Sequence, residues 1–371
     1  MASTQPTSPI VDEQGQTRPQ KGHRLLVILL AFAVILLLIG WQVVSTRGNK
    51  TDPTVAGRPL SNAQTHLHTV AVGSRPGTLY LGAHYGIFTS TDNGRTWPQA
   101  RGMLNTLMVT AIASSPNDAN ALALIGIPSV TGGAAAGTYF SQDGGAHWTL
   151  RNPPNLSKEA YPYTIQESAA NDQHFYVYYL YAGWFETRDM GRHWRPFAQG
   201  NLASMQTPSL LTFANDPNHL LLGGDQGLFE SKDDGQTWNP LAAIQGNVYS
   251  LVASRTAPVT ILCTTDQGLF TWKDGAKQIR QLPSATVFTR LAVDATGSIV
   301  YGLAGRTIWY SQDGGATWTA RKQFQRGDFT AFLLDPQQAD RLYIGFFLPA
   351  QVVYTTDSGK SWHVLTDSTT P

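Results

Sequence analysis

The sequence predicts an all-β protein, a seven-bladed β-propeller preceded by one N-terminal transmembrane helix. Three observations carry that prediction. One short pattern recurs six times at nearly even spacing, each copy lies between short apolar stretches, and a single long apolar run stands near the start of the 371 residues. Repeats of this period belong to propellers, solenoids or arrays.

The region before the repeats divides into three. Residues 1–23 are rich in Ser, Thr, Gln and Pro and hold almost no large apolar residue, so they read as a disordered cytoplasmic tail. Residues 24–45 read as the membrane anchor, because no charged residue occurs from Leu25 to Ser45. At about 1.5 Å per residue, that run crosses a hydrocarbon core of roughly 30 Å. A cleavable signal would carry a shorter apolar core, about 7 to 15 residues, and a small-residue cleavage site. Trp41-Gln-Val-Val-Ser-Thr46 offers no convincing Ala-x-Ala. Arg18, Lys21 and Arg24 precede the span and Arg47, Lys50 and Arg58 follow it, so the positive-inside count is even. Lys21 and Arg24 at the leading edge, with the bulk of the chain beyond the span, favour a cytoplasmic tail and an external propeller. Residues 46–62 form a polar linker, and residues 63–367 the propeller.

The six copies are Ser90-x-Asp92-x-Gly94-x-Thr96-Trp97, Ser141-x-Asp143-x-Gly145-x-His147-Trp148, Thr187-x-Asp189-x-Gly191-x-His193-Trp194, Ser231-x-Asp233-x-Gly235-x-Thr237-Trp238, Ser311-x-Asp313-x-Gly315-x-Thr317-Trp318 and Thr355-x-Asp357-x-Gly359-x-Ser361-Trp362. The aspartates fall about 40 to 50 residues apart, except for a gap of 80 between Asp233 and Asp313. A worn seventh copy, Gly268-Leu-Phe-Thr-Trp272-Lys-Asp274-Gly275, fills that gap. An Asp followed two residues later by Gly, between two strands, reads as a hairpin turn. The carboxylate can accept from nearby backbone N–H groups, and the Gly can take positive φ. The leading hydroxyl offers a second local bond, and the closing Trp can lie over the turn.

Each unit supplies four strand candidates. In the second they are Val109–Ser114, Ala121–Ile125, Thr138–Ser141 and His147–Leu150. The fourth and seventh units repeat the plan, with Asn215-Asp-Pro217 and Asp335-Pro336 as first turns. Seven units of about 44 residues suit a closed propeller. A solenoid is disfavoured because the first and last units carry the box as fully as the middle ones, leaving no divergent caps. The fifth unit, without the box Trp, is expected to persist with a shorter hairpin and to be the least rigid.

The repeated pattern resembles the Asp-box of bacterial neuraminidase repeats, S/T-x-D-x-G-x-x-W, over roughly residues 63–367. Families sharing it include sialidases, xyloglucan-degrading glycosidases, sortilin-type receptors and photosystem II assembly factors. The resemblance implies that Asp92, Asp143, Asp189, Asp233, Asp313 and Asp357, with Trp97, Trp148, Trp194, Trp238, Trp318 and Trp362, are structural and lie away from the ligand face. No box gathers enough oxygen ligands in an EF-hand-like spacing for a calcium site.

Composition narrows the function. With 26 basic and 25 acidic residues, a net charge of +1 gives no basic stripe for nucleic acid. The lone Cys263 forms no intrachain disulfide and reads as a buried, inert thiol in an apolar strand. The sialidase resemblance would imply an Arg-Ile-Pro segment, and Arg58-Pro59 and Arg75-Pro76 lack the middle residue. A glycosidase needs two carboxylates about 5 to 10 Å apart. Apart from the box and turn acids, the candidates are Glu159, Glu167, Glu186, Asp225, Asp266 and Asp328, with Glu159, Glu167 and Asp225 the first choices for acid and base. His66-x-His68 puts two imidazoles on alternate strand positions; without a third ligand nearby they read as a strand pair, so no metal and no cofactor is expected.

A ligand would sit opposite the boxes, on loops between the second and third strands and on the linkers between blades. The stretches 127–136 and 152–163 are longer than their counterparts, and extra loop on a rigid scaffold is where binding tends to reside. Candidate binding residues are Tyr85, Lys158, Tyr161, Tyr163, Tyr181 and Arg326. The tyrosines offer aromatic anchors with polar tips; the alternative is that they pack locally. The expected function is therefore a membrane-anchored, extracytoplasmic, non-catalytic module that binds a protein or carbohydrate partner. The alternative is a glycoside hydrolase using carboxylates on the same face. The chain shows neither the arginine patch that an assembly-factor role would need nor the Cys-rich module that follows sortilin-type propellers.

Overall fold

The structure is a computed structural model, and it describes residues 65–366 except Arg101, Gln199, Thr207, Lys277 and Ala285. The predicted tail, anchor and linker lie outside the described residues. Among the described residues, no helix is long and apolar enough to cross a membrane.

Seven antiparallel sheets are built from consecutive strands, six of four strands and the first of three. Their first strands are Leu67–Val72, Leu107–Ser114, Pro162–Glu167, Ser209–Thr212, Val248–Ala253, Arg290–Val293 and Phe329–Asp335. Each first strand contacts the first strands of the sheets before and after it, and the first sheet's also contacts the last's. This is a closed seven-bladed propeller with the first strand of every blade innermost. The second strands are almost wholly buried, as in Leu79–Ala83, Phe175–Tyr179 and Leu220–Gly224, because both faces of each blade press on a neighbour. Seven apolar clusters fill the seven blade-to-blade interfaces.

Outer strands are short, and those of blades 3 and 4 carry a proline, a common way of blunting a sheet edge. In blade 3 the outer strand is Arg195–Phe197, and in blade 4 it is Asn239–Pro240. In blade 1 it shrinks to one bridge between Phe88 and Gln99, beside Pro98, which has no N–H to give. The fifth blade keeps all four strands without its box, and Trp272 is buried among the residues it shares with blade 4.

Among the described residues no strand crosses from one end of the chain into the other's blade, and blades 1 and 7 meet through side-chain packing and a few hydrogen bonds. Leu67, Val70, Leu79 and Leu81 of blade 1 pack with Ala331, Tyr343 and Val352 of blade 7. The N–H of Leu67 donates to the carbonyl of Phe347 at 3.0 Å.

Candidate functional site

The boxes mark one end of the propeller. Their turns hydrogen-bond to the loop joining the first and second strands of the same blade, as in Asn93 N to Gly77 O at 2.9 Å and Asp234 N to Asn218 O at 2.9 Å. The opposite, box-free end therefore carries the turns between second and third strands and the linkers between blades.

The hydroxyl and carboxylate of each box bond to one another and to the box's own backbone. The Ser311 hydroxyl donates to Asp313 Oδ1 at 2.8 Å and accepts from the Gly315 N–H at 2.9 Å. Asp313 accepts from the Thr317 N–H at 2.8 Å and from its hydroxyl at 2.6 Å. The other five boxes repeat the arrangement, with His147 and His193 replacing the hydroxyl. Donors aimed at the carboxylate hold it ionised: the Thr317 hydroxyl and N–H bring Asp313 down to about 2, and the His147 N–H does most of the same for Asp143, also about 2. Trp148, Trp238, Trp318 and Trp362 each donate Nε1–H to the glycine carbonyl of their own box. Trp97 and Trp194 instead pack against the apolar clusters between blades 7 and 1 and between blades 2 and 3.

On the box-free end, blade 3 gathers three of the six predicted binding residues. Tyr161, at 43 % exposure, ends the linker from blade 2, and its carbonyl accepts from Leu180 N, next to Tyr181. Tyr181 occupies the turn between second and third strands at 74 % exposure with φ of 64°. A bulky residue in the left-handed region is a strained conformation that tends to be kept where it serves function. Tyr163 marks a register shift between Pro162 and Thr164, where the innermost strand carries one residue more than its partner. Bulges of this kind re-aim a side chain. Blade 5 has the same shift at Tyr249, 42 % exposed, which sequence reasoning missed because bulge positions depend on strand pairing. Lys158 is exposed on the same linker as Tyr161.

The other two candidates stand apart. Tyr85 lies in the blade 1 turn, its ring 4.7 Å from His84. Arg326 is engaged within its own loop: it donates to Asp328 at 3.0 and 2.6 Å and to the Pro349 carbonyl at 3.1 Å, and its guanidinium lies 4.6 Å from the Phe346 ring centre. It braces the junction of blades 6 and 7.

Tyr85's neighbours hold a feature the sequence did not reveal. His66, His68 and His84 bring one ligand nitrogen each to within 4.8 Å of one another. The premise that no third imidazole accompanies His66 and His68 does not hold, because strand pairing delivers His84, whose backbone N–H donates to the His66 carbonyl at 2.9 Å. Phe347 stacks on His66 at 4.7 Å and meets His68 edge-on at 5.5 Å. Burial, with His84 and His66 alongside, pushes His68 down to about 3, and burial also lowers His66.

Of the candidate carboxylates, Glu159 and Glu167 do not meet. Glu159 and Glu167 flank the innermost strand Pro162–Glu167, whose six residues span about 17 Å. That exceeds the separation either glycosidase mechanism uses. Glu167 and Glu186 lie at the box end; burial raises the Glu167 pKa, and Glu186 is buried against His174, Arg188 and Arg195. Asp225 and Asp266 occupy corresponding turns of blades 4 and 5 on the box-free end. Each accepts a backbone N–H, from Gln206 at 2.8 Å and Asn247 at 3.2 Å. A groove of about 350 Å³ between blades 6 and 7, lined by Phe324, Arg326, Phe346, Val353, Trp362 and His363 among others, holds no carboxylate.

The BNR repeat-like domain matches residues 41–261, and the BNR/Asp-box repeat matches residues 309–320. No curated protein matches the chain. Among solved structures it is similar to the GH74 xyloglucanase from Xanthomonas campestris at 15 % identity and a TM-score of 0.62, over 85 % of this chain and 56 % of that one. The chain thus spans little more than half of that enzyme. It is similar to YCF48 bound to D1 peptide at 14 % identity and a TM-score of 0.50, over 72 % and 84 %. It is also similar to the Cps50 (Swd1) β-propeller domain from Myceliophteria thermophila at 13 % identity and a TM-score of 0.57, over 83 % and 99 %. At such identities the likeness is one of fold.

Proposed function

The chain belongs to the BNR repeat-like domain family, and from that premise we propose that it is a non-catalytic binding module whose protein or glycan partner docks on the box-free end of blade 3. The observation that carries this reading is Tyr181, exposed at 74 % and held at φ 64°. Tyr161 and Tyr163 stand on the same end of the same blade, and the lengthened linker with Lys158 runs beside them. Rigid aromatic side chains with polar tips give contact area at low entropic cost, in peptide or sugar recognition alike. The solved neighbours include both an enzyme of the xyloglucanase class and a propeller bound to a peptide, and a shared fold does not choose between them. The uncharged run from Leu25 to Ser45 supports a membrane anchor, and Lys21 and Arg24 at its leading edge favour a propeller outside the cytoplasm.

The test is an affinity pull-down paired with a glycan array, using the full-length chain, Tyr181→Ala and a variant with the 152–161 linker shortened. Capture that depends on both changes, with no sugar released, supports the module. Capture indifferent to them moves the site elsewhere. Release of sugar by the wild type would establish the second reading, a glycoside hydrolase, for which Asp225 and Asp266 on neighbouring blades are the acids to replace.

A further inference from the structure

We propose that His66, His68 and His84 form a binding site for a divalent transition-metal ion of the zinc class, held by three imidazoles with a fourth coordination position left for another donor. This stands independently of the docking surface on blade 3.

Strand pairing assembles the site. His66 directly precedes the innermost strand of blade 1 and His84 directly follows its partner, so the pair Leu67–Ala83 sets them opposite each other. The register then passes from Leu67–Ala83 to Thr69–Gly82, leaving His68 as the extra residue of a bulge. A bulged residue escapes strict alternation, which lets its side chain join those at the strand ends. The three ligand nitrogens lie within 4.8 Å of one another. Imidazoles bound to zinc at about 2.0–2.1 Å in tetrahedral geometry stand roughly 3.3 Å apart, a closure that small ring rotations supply.

Two further observations point to a cation. His66 Nδ1 and His68 Nε2 are buried and have no hydrogen-bond partner. A buried imidazole nitrogen in that state is uncommon, and a metal ion is one of the few things that satisfies its lone pair without a proton. Phe347 closes over His66 and His68 from blade 7, and Tyr85 packs edge-on against His84. That aromatic wall limits water and strengthens coordination inside it.

The donor set selects the metal. Three nitrogens without a carboxylate suit zinc, copper or nickel and give calcium or magnesium nothing to hold. Three protein ligands rather than four match metal sites that keep a position open. No reaction is assigned to the bound ion.

The full-length chain is stripped with chelator, then titrated separately with Zn2+ and Co2+. Variants are His66→Ala, His68→Ala and His84→Ala, with His363→Ala on the exposed outer strand of blade 7 as control. The expected result is one equivalent of Zn2+, a higher Tm on binding, and the visible absorption of four-coordinate Co2+. Each ligand variant should weaken binding by at least about 100-fold, beyond what outer-shell changes cause, and His363→Ala should bind like the wild type. X-ray absorption on the zinc-loaded wild type counts imidazole ligands directly and does not depend on the variants folding. Three imidazoles support the site. A folded wild type that takes up no metal, binding indifferent to all three histidines, or a shell with fewer than three imidazoles overturns it.

Discussion

Leu365, in the last strand of the chain, packs so closely on Gly94 of the first box that a Cβ at position 94 would stand 2.5 Å from its Cδ1. The glycine is therefore required twice, once by the turn, where φ is 81°, and once by the neighbouring blade. Gly235 is pressed the same way by Phe197. The box is a hinge of the hairpin and also a seat for the preceding blade.

The seam gives the first prediction. Gly94→Ala should destabilise by about 2–4 kcal/mol, part from the left-handed backbone and part from overpacking. Adding Leu365→Ala should recover the overpacking share and leave the backbone share, a coupling above about 0.5 kcal/mol in a denaturation-based double-mutant cycle. Strict additivity would separate the two residues and dismiss the contact.

The boxes give an acid-stability prediction. Asp143 and Asp313 are depressed to about 2 from 3.8. A carboxyl whose folded value is depressed stabilises fully above its unfolded value, and that share disappears as pH falls from about 4 to 2. Replacing the four seventh-position hydroxyl donors together (Thr96→Val, Thr237→Val, Thr317→Val, Ser361→Ala) should raise the acid-unfolding midpoint by about half a pH unit. An unchanged midpoint means the donors do not hold the carboxylates ionised.

His174 acts in a separate window. Its Nε2 lies 2.7 Å from Glu186 Oε2, deep between blades 3 and 4. Burial above all, then Arg188, lowers it to about 4 from 6.5, against an upward pull from Asp234 and with a smaller downward one from Arg195. The guanidiniums already compensate Glu186, so the imidazole stays neutral and donates. The unfolded chain takes up the proton first. Stability is therefore complete above about pH 6.5 and falls on acidification toward pH 4, by about 3 kcal/mol at the limit. Urea unfolding of the wild type and His174→Gln at pH 7.5 and 4.5 measures it: the loss between the two should be smaller in the variant by about 2.5 kcal/mol, with the shares of His66 and His68 remaining.

Tyr181 separates function from stability. Its side chain is 74 % exposed, so Tyr181→Gly should leave unfolding free energy unchanged or slightly raised, because glycine relieves the φ of 64°. Partner capture should fall by about tenfold or more, as for an aromatic anchor. Loss of stability with capture intact would make the residue a packing element.

Cys263 is fully buried, and burial pushes its thiol up to about 12. Thiol reagents at pH 8 should leave the native protein unlabelled and react once it is unfolded. Stoichiometric labelling under native conditions would contradict the burial.

How much was legible depended on the range of the interaction. Ser311, Asp313, Gly315 and Thr317 hold one another within seven residues, so a repeated string displayed the turn, the hairpin and the blade count. Cys263 was readable because an unbroken apolar strand in an all-β chain has only the interior to occupy. Arg326 looked like a free binding group and is instead committed to Asp328, Pro349 and Phe346. Glu159 and Glu167 looked close in sequence, yet an extended strand drives them to opposite ends of the propeller.

The sequence by itself determined the repeat, the box hairpins and the number of blades, because those follow from side-chain chemistry acting over a few residues. Only the tertiary structure decided that His84 meets His66 and His68, that the bulge at Tyr163 recurs at Tyr249, and that Leu365 closes on Gly94. Those relationships depend on register between strands and on contact between blades far apart in the chain. A local pattern carries the propensity to form a strand but not the alignment of that strand with its neighbours.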